Sequence, residues 1–294
     1  MTLVKLLQLK DNGPPHVTKI IDDGFAITTA EPWVRHKVEL VRQYITAFVT
    51  ALASQVDELV IVDLYARNGL YCLGTRKDTF PGIPLMALQL DLPISKFVFC
   101  ESDEELLRAL KIRANKYFRS KNIVLLKGKP EELIDKIKMY VPESRKNHKV
   151  ATLCIADAFG LEPGLDTMRQ LSEHDFSFLV PLTFHLGKKI NHQFYLNQDK
   201  DKIKHLLGYE TTAEGLGWKP ESNTLFYRQL IQRWEQKVEE IGLNAAVSTH
   251  KLDSGLMEMS TYSICLFSRK YSAKAIQLDA LAGSHIQFAL FNHN

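Results

Sequence analysis

The sequence is poor in cysteine, with four in 294 residues, and no two of them form a C-x-x-C pair. A zinc site or a disulfide framework needs closer or more regular spacing, so the sequence supports neither. Three of the cysteines lie in apolar runs, where a free thiol behaves as a small hydrophobic side chain: Cys100, Cys154 and Cys265. Such isolated thiols suit a reducing compartment, and we therefore expect a cytoplasmic protein.

The chain also lacks an apolar run of the roughly 20 residues that a membrane-spanning helix requires. Residues 1–15 contain a short apolar patch, but not the apolar core and the small-residue cleavage site of a signal peptide. We interpret this stretch as a local strand or arm and expect no membrane association.

No charge of one sign dominates, because 37 basic side chains are set against 34 acidic ones. An excess of this size does not by itself indicate nucleic-acid binding. The ten histidines show no spacing typical of metal ligands, so no metal site is expected. A basic set could contact a nucleic acid, although a solvated helix face explains it as well: Arg108, Lys111, Arg113, Lys116, Arg119, Lys121, Lys127 and Lys129.

Buried strands alternate with amphipathic helices along most of the chain. Apolar residues recur at spacings of three and four from residue 33 to about residue 53, which predicts one long helix. Helical patterns between the later strands predict right-handed crossovers and a doubly wound, mostly parallel α/β sheet. Continuous apolar runs predict strands that are covered on both faces: 58–64, 96–100, 122–126, 150–156 and 176–182.

The pattern divides the chain into two parts. Residues 1–54 form an N-terminal arm and helix that pack on the core, and residues 55–294 form the α/β domain. From about 187 to 224 the pattern becomes polar, and we interpret this segment as an insertion with a short helix near 200–207. The sheet is expected to close with an antiparallel pair near 245–250 and 261–267.

Polar groups follow three of the predicted strands, at the edge where doubly wound sheets bind their ligands. An acid that ends the second strand, about 38 residues after Asp63, is suited to hold ribose hydroxyls. This acid, Glu101, could also be a helix N-terminal acid that the helix dipole favours. Asp157, after the fourth strand, could orient a substrate amine or the tail of a cofactor, or could simply be a turn residue.

The order of these motifs resembles the three-Cys-motif partner family, whose members are similar to class I S-adenosylmethionine-dependent methyltransferases. The matching segments are Gln43–Phe48, Asp63–Gly69, Gly82–Leu88 and Asp157–Gly160. The resemblance runs over roughly residues 33–185. It implies a Rossmann-like methyltransferase sheet with a terminal antiparallel pair. It also implies a protein partner, the three-cysteine-motif protein, whose gene lies nearby and often on a mobile element.

S-adenosylmethionine is the cofactor that the resemblance implies, with an unknown methyl acceptor. Asp157 and Phe159 are the expected catalytic residues, because they would orient the acceptor. The expected cofactor-binding residues lie at the three strand ends: Asp63, Tyr65, Ala66, Arg67, Asn68, Gly69, Glu101, Ser102 and Asp157.

Three residues depart from the family pattern: Arg67 replaces a glycine, Ile83 a serine and Ala158 a proline. A glycine lets backbone N–H groups approach a ligand without a Cβ in the way. Arg67 could instead pair with a ligand carboxylate or phosphate, or could block the pocket. Asn68 can adopt a left-handed conformation, which would preserve the shape of the loop.

Two functions therefore remain open. The first is an active methyltransferase. The second is a catalytically degenerate methyltransferase fold that acts as a partner or sensor subunit in a mobile-element or defence system. Nucleic-acid binding through the polar insertion at 187–224 is a further alternative.

Overall fold

The computed structural model describes residues 23–74, 78–158, 160–183, 192–208, 221–251, 261–272, 274–276 and 287–288. The expected arm at 1–15 and the expected catalytic residue Phe159 lie outside these residues. So do residues 187–191 and 209–220 of the predicted insertion.

The helices confirm the amphipathic pattern of the sequence. The first helix begins at a proline, which suits a helix's first turn. Ten of its side chains are buried along one face. Residues 192–207, within the predicted insertion, contain two short helices rather than one. The helices are α1 (Pro32–Leu52), α2 (Ile83–Gln89), α3 (Glu104–Tyr117), α4 (Pro130–Tyr140), α5 (Leu165–Ser172), α6 (His192–Asn197), α7 (Lys200–Leu207) and α8 (Asn223–Glu240).

The strands form two sheets. The predicted strands are present. The stretch after the first of them also contains the short strands β3 and β4, and β3 pairs with both β1 and β4 in a small three-stranded sheet. The strands are β1 (Thr28–Ala30), β2 (Glu58–Asp63), β3 (Leu70–Leu73), β4 (Thr79–Pro81), β5 (Lys96–Glu101), β6 (Ile123–Lys127), β7 (Val150–Ile155), β8 (Phe176–Leu182), β9 (Asn244–Lys251), β10 (Thr261–Ser268) and β11 (Gln287–Phe288).

The larger sheet is doubly wound. Among the described residues its order is β11-β9-β10-β8-β7-β2-β5-β6, and the five strands from β8 to β6 are parallel. The strand β10 runs antiparallel to both β8 and β9, which confirms the predicted closing pair. The chain winds outward from β2 to β5 and β6 and then returns to β7 on the other side of β2, so the winding reverses beside β2.

Helices cover both faces of this sheet. Successive residues of β2 alternate between two hydrophobic clusters, with Leu59 and Ile61 on one side and Val60 and Val62 on the other. The first cluster includes side chains of α1, α2 and α3, and the second includes side chains of α4, α5, α7 and α8. This burial on both faces explains why the parallel strands appear in the sequence as continuous apolar runs. Within the described ranges, no helix is long and apolar enough to cross a membrane.

Candidate functional site

The structure brings the three predicted strand-end acids to one edge of the sheet. Asp63, the last residue of β2, pairs in register with Phe99 on one side and with Ile155 on the other. Glu101 and Asp157 each lie two residues beyond these partners, so both follow the same edge. Both carboxylates contribute to raising the pKa of Asp63, which shows that the three charges act on one another.

Asp63 is the most deeply placed of the three acids, with 1% of its surface exposed. Its Oδ1 accepts a hydrogen bond from the backbone N–H of Tyr65 at 3.0 Å. Its Oδ2 is buried and accepts no hydrogen bond from any residue that the structure describes. Burial raises the pKa of this carboxyl to about 7, because the charged form loses its hydration.

Glu101 fixes the loop that follows β2. Its Oε2 accepts the backbone N–H of Arg67 at 2.8 Å, and its Oε1 accepts that of Asp103, also at 2.8 Å. Asp103 is the residue that caps α3, since its side chain accepts two backbone N–H groups of the first turn. The hydroxyl of Ser102 donates to Glu101 at 3.4 Å, so this predicted residue also lies at the site.

The loop takes the shape expected of a glycine-containing turn, although a different residue provides it. Arg67 adopts φ +52° and Gly69 adopts φ +74°, whereas Asn68 has no positive φ. The sequence had suggested Asn68 for the left-handed position. Instead the buried Asn68 side chain accepts the N–H of Leu70 at 2.9 Å and donates to the hydroxyl of Thr28 at 2.9 Å.

A buried lysine that the sequence analysis missed completes the site. The Nζ of Lys37 lies 2.7 Å and 2.6 Å from the two carboxylate oxygens of Asp157, and neither side chain is more than 3% exposed. The ring of Trp33 lies 5.4 Å from the same Nζ. Burial lowers the pKa of Lys37, and Asp157 opposes this effect. A lysine on the apolar stripe of α1, between Val34 and Val41, was the signal that could have revealed it.

Arg67 is a second cation in the same region. Burial raises the pKa of Asp63 and of Tyr71, and the charge of Arg67 opposes that rise; burial lowers the pKa of Lys37, and Arg67 adds to that lowering. Arg67, Asp63 and Tyr71 line one pocket.

Two pockets lie at this edge and share Tyr65. The first, which we call the loop pocket, has a volume of about 230 Å³ including its open mouth, but its side chains leave room for about one water molecule. It is lined by Thr28, Asp63, Tyr65, Ala66, Arg67, Asn68, Gly69, Leu70, Tyr71, Gly82, Ile83, Pro84 and Asp157.

The second pocket, which we call the strand-end pocket, is larger. Its volume is about 410 Å³, including its open mouth. Burial raises the pKa of Tyr65, the side chain between the two pockets, well above its ordinary range. The strand-end pocket is lined by Leu64, Tyr65, Glu101, Ser102, Gly128, Lys129, Pro130, Glu131 and Glu162.

The other predicted cofactor-binding residues shape the loop through their backbones. The N–H of Ala66 donates to the carbonyl of Cys100 at 2.9 Å, and the carbonyl of Gly69 accepts the N–H of Gly82 at 2.7 Å. A Cβ on Gly69 would come within 2.8 Å of the Leu110 and Leu85 side chains, so the position has no space for a larger residue.

Arg113 holds the loop through a hydrogen bond, and its position differs from the one that the sequence suggested. In the sequence Arg113 belongs to a basic set that suits a solvated helix face, but its side chain is fully buried. Its Nη1 donates to the carbonyl of Asn68 at 2.8 Å, and its Nε and Nη2 donate to the carboxylate of Asp23 at 2.8 Å each. Lys127, from the same set, pairs with Glu104. The basic set is therefore not one continuous surface.

In the described part of the chain, no group of three or more His, Cys, Asp and Glu side chains could hold a metal ion. The four cysteines are buried free thiols, as predicted for Cys100, Cys154 and Cys265, and Cys72 is buried as well.

No family model and no curated protein matches the sequence. Solved structures do match the fold. The crystal structure of protein LPL1258 from Legionella pneumophila has a TM-score of 0.50 at 10% identity, covering 83% of this chain and 91% of that one. Spermidine synthase from Thermotoga maritima has a TM-score of 0.45 at 9% identity, covering 85% and 67%.

The methyltransferase domain of the bacterial protein CtHen1 is also among the matches, with a TM-score of 0.39 at 10% identity, covering 77% of this chain and 97% of that domain. Identities this low speak only to the fold. The strand order, the antiparallel closing pair and the match to LPL1258 show the doubly wound, Rossmann-like α/β fold that the sequence predicted.

Proposed function

We propose that this chain binds S-adenosylmethionine at the carboxyl ends of β2, β5 and β7 and transfers its methyl group to an acceptor. The observation that carries the proposal is the meeting of Asp63, Glu101 and Asp157 at one sheet edge, beside the point where the winding reverses.

The residues at this edge fit the nucleoside half of the cofactor. The strand-end pocket is the roomier of the two pockets, and Glu101 and Ser102 both line it. The Oε2 of Glu101 accepts one backbone N–H and keeps a second lone pair, which a ribose hydroxyl can use, whereas Oε1 accepts both the N–H of Asp103 and the hydroxyl of Ser102. The buried Oδ2 of Asp63 is a further acceptor that needs a donor. When bound, the cofactor would supply an activated methyl group.

Lys37 and Asp157 would orient the acceptor. Methyl transfer is an in-line displacement, and positioning supplies much of its rate. A carboxylate accepts hydrogen bonds, so Asp157, held in place by Lys37, can align an N–H or O–H group of the acceptor. Phe159 remains part of this proposal as an aromatic contact for the acceptor.

Replacing Glu101 tests the proposal directly. We expect Glu101→Ala to weaken S-adenosylmethionine binding about 10- to 100-fold, because hydrogen bonds to a charged group contribute about 1.5–3 kcal/mol. Glu101→Gln keeps one acceptor oxygen and should lose less. Isothermal titration calorimetry gives the dissociation constants. Glu104→Gln, an exposed acid three residues later, is the matched control and should bind as the wild type does.

Thermal unfolding of each variant separates loss of the ligand from loss of the fold. The proposal fails if the wild-type chain shows no binding heat with S-adenosylmethionine, or if Glu101→Ala binds it as tightly as the wild type.

A second candidate function is a catalytically degenerate subunit of the three-Cys-motif partner type, acting in the cytoplasm with a three-cysteine-motif protein. The observation in its favour is the loop pocket, which Arg67 and its neighbours leave with room for about one water molecule. Purification of the native complex would support this role. A lone chain that methylates an acceptor at full rate would contradict it.

A further inference from the structure

The solvent side of α3 carries only basic charges beyond its first turn. Residues 106–130 contain eight basic side chains and no acidic one. Arg113 and Lys127 are buried and ion-paired respectively, but four other cations lie exposed on α3 or just past its end. We call these four the α3 basic stripe: Arg108, Lys111, Lys116 and Arg119.

The stripe follows one face of the helix. Arg108, Lys111 and Asn115 are spaced three and four residues apart, and such residues are neighbours on a helix surface. The Nε of Arg119 donates to the carbonyl of Asn115 at 3.0 Å, which keeps this side chain beside the last turn. Lys116 is exposed next to Asn115. The helix rises about 10 Å from Arg108 to Asn115, so the cations lie along one line rather than at one point.

No described carboxylate neutralises the stripe. In the part of the chain that the structure describes, none of its four cations pairs with an acid. The acids nearest along the chain are Glu104 and Glu105, both in the first turn of α3, and Glu104 already pairs with Lys127.

Helix stability does not account for this arrangement. The helix dipole favours cations in the last turn, which explains Lys116, but the effect does not extend to Arg108 and Lys111 in the middle of the helix. Like charges three or four residues apart destabilise a helix by a few tenths of a kcal/mol. The stripe therefore indicates a binding partner that carries a row of negative charges.

The apolar residues of α3 favour a nucleic acid over a lipid surface. A helix that binds a membrane inserts an apolar face between the lipids. In α3 the apolar side chains of Ala109, Leu110 and Ala114 are buried, and no large apolar side chain of this fully described helix is exposed. A stripe of cations alone fits phosphates, which follow one another along a nucleic-acid strand.

We propose that the α3 basic stripe binds the phosphate backbone of a nucleic acid without reading its bases. Contacts of this kind position a nucleic acid but carry no sequence information. The inference goes beyond the proposed function and does not depend on it, because no residue of the stripe lines the loop pocket or the strand-end pocket.

Fluorescence anisotropy at several salt concentrations tests the inference. Two labelled probes of about 20 nucleotides, a DNA duplex and an RNA single strand, show which nucleic acid is bound. We expect the affinity of the wild type to fall with a slope of about −3 to −4 in a plot of log K against log salt, the value for four phosphate contacts. The double variant Arg108→Gln with Lys111→Gln should bind about 10- to 100-fold more weakly near 100 mM salt, with a slope smaller by about 2.

The double variant Arg145→Gln with Lys146→Gln is the matched control. It removes one arginine and one lysine, both exposed, from the loop ahead of β7, and it should bind as the wild type does. Glutamine has a helix propensity close to that of arginine and lysine, so the α3 variant is expected to fold, and thermal unfolding verifies this.

Three results would overturn the inference: an affinity that does not depend on salt, an undiminished affinity in the α3 variant, or an equal loss in the control. Absence of binding to both probes would overturn it as well. Tighter binding to vesicles that contain phosphatidylserine than to either probe would show that the partner is a membrane and not a nucleic acid.

Discussion

Replacing Lys37 with alanine is expected to destabilise the fold by about 3–5 kcal/mol, the typical cost of removing one partner from a buried ion pair. Asp157 would remain buried at 3% exposure with no ammonium to balance it. Urea unfolding of the wild type and of Lys37→Ala at pH 7 measures the difference. Because small domains have a total stability of about 5–15 kcal/mol, such a loss is large enough to reduce the yield of folded protein.

The double variant Lys37→Met with Asp157→Leu separates the ion pair from the packing around it. Replacing both partners with apolar side chains of similar size is often neutral or stabilising, so the double variant should regain most of the loss. Lys37→Met alone should remain destabilised. If Lys37→Met were as stable as the wild type, Asp157 would not be buried against Lys37 as described. Recovery in the double variant would indicate that the pair is retained for the site and not for stability.

The Asp63→Asn variant is expected to be more stable than the wild type above pH 7, by up to about 4 kcal/mol. The folded protein binds the Asp63 proton up to about pH 7, whereas the unfolded chain releases it near the ordinary value of 3.8. The folded state therefore holds more protons between these values, and wild-type stability falls as the pH rises through this range. Asparagine does not titrate, so Asp63→Asn escapes this loss.

Urea unfolding at pH 4, 5, 6, 7 and 8 would show the difference between Asp63→Asn and the wild type growing with pH and levelling above 7. Asp201→Asn is the control, because the Asp201 side chain is 90% exposed and its change should have little effect at any pH. A difference that stays constant from pH 4 to 8 would mean that Asp63 is not desolvated in the folded protein.

The large sheet could be predicted because its chemistry is repetitive. The inner parallel strands are buried on both faces, as in the six residues of Val150–Ile155, and therefore appear as apolar runs. The small sheet of β1, β3 and β4 could not be predicted in this way. Its strands are only three or four residues long. Gly69, Gly74 and Pro81 lie in or beside them, and glycine and proline are residues typical of loops.

The candidate site likewise contains residues that the sequence could predict and residues that it could not. Asp63, Glu101 and Asp157 were predictable because parallel topology brings the carboxyl ends of neighbouring strands together. Lys37 comes from a helix outside the repeating pattern and meets Asp157 across 120 residues of sequence. Arg113 looked like one more cation on a basic helix, and only its position beneath Asn68 shows that it is internal.

Asn68, in the loop that follows β2, is held by residues from distant parts of the chain. Its side chain holds Thr28, 40 residues earlier, and its carbonyl is held by Arg113, 45 residues later, which in turn binds Asp23 across 90 residues. These are non-local contacts, and such contacts form only after the chain between them has closed. The ligand loop should therefore acquire its final shape late in folding, after the segment ahead of α1 has docked. Substitutions in that segment would then change the shape of the pocket while leaving the large sheet intact.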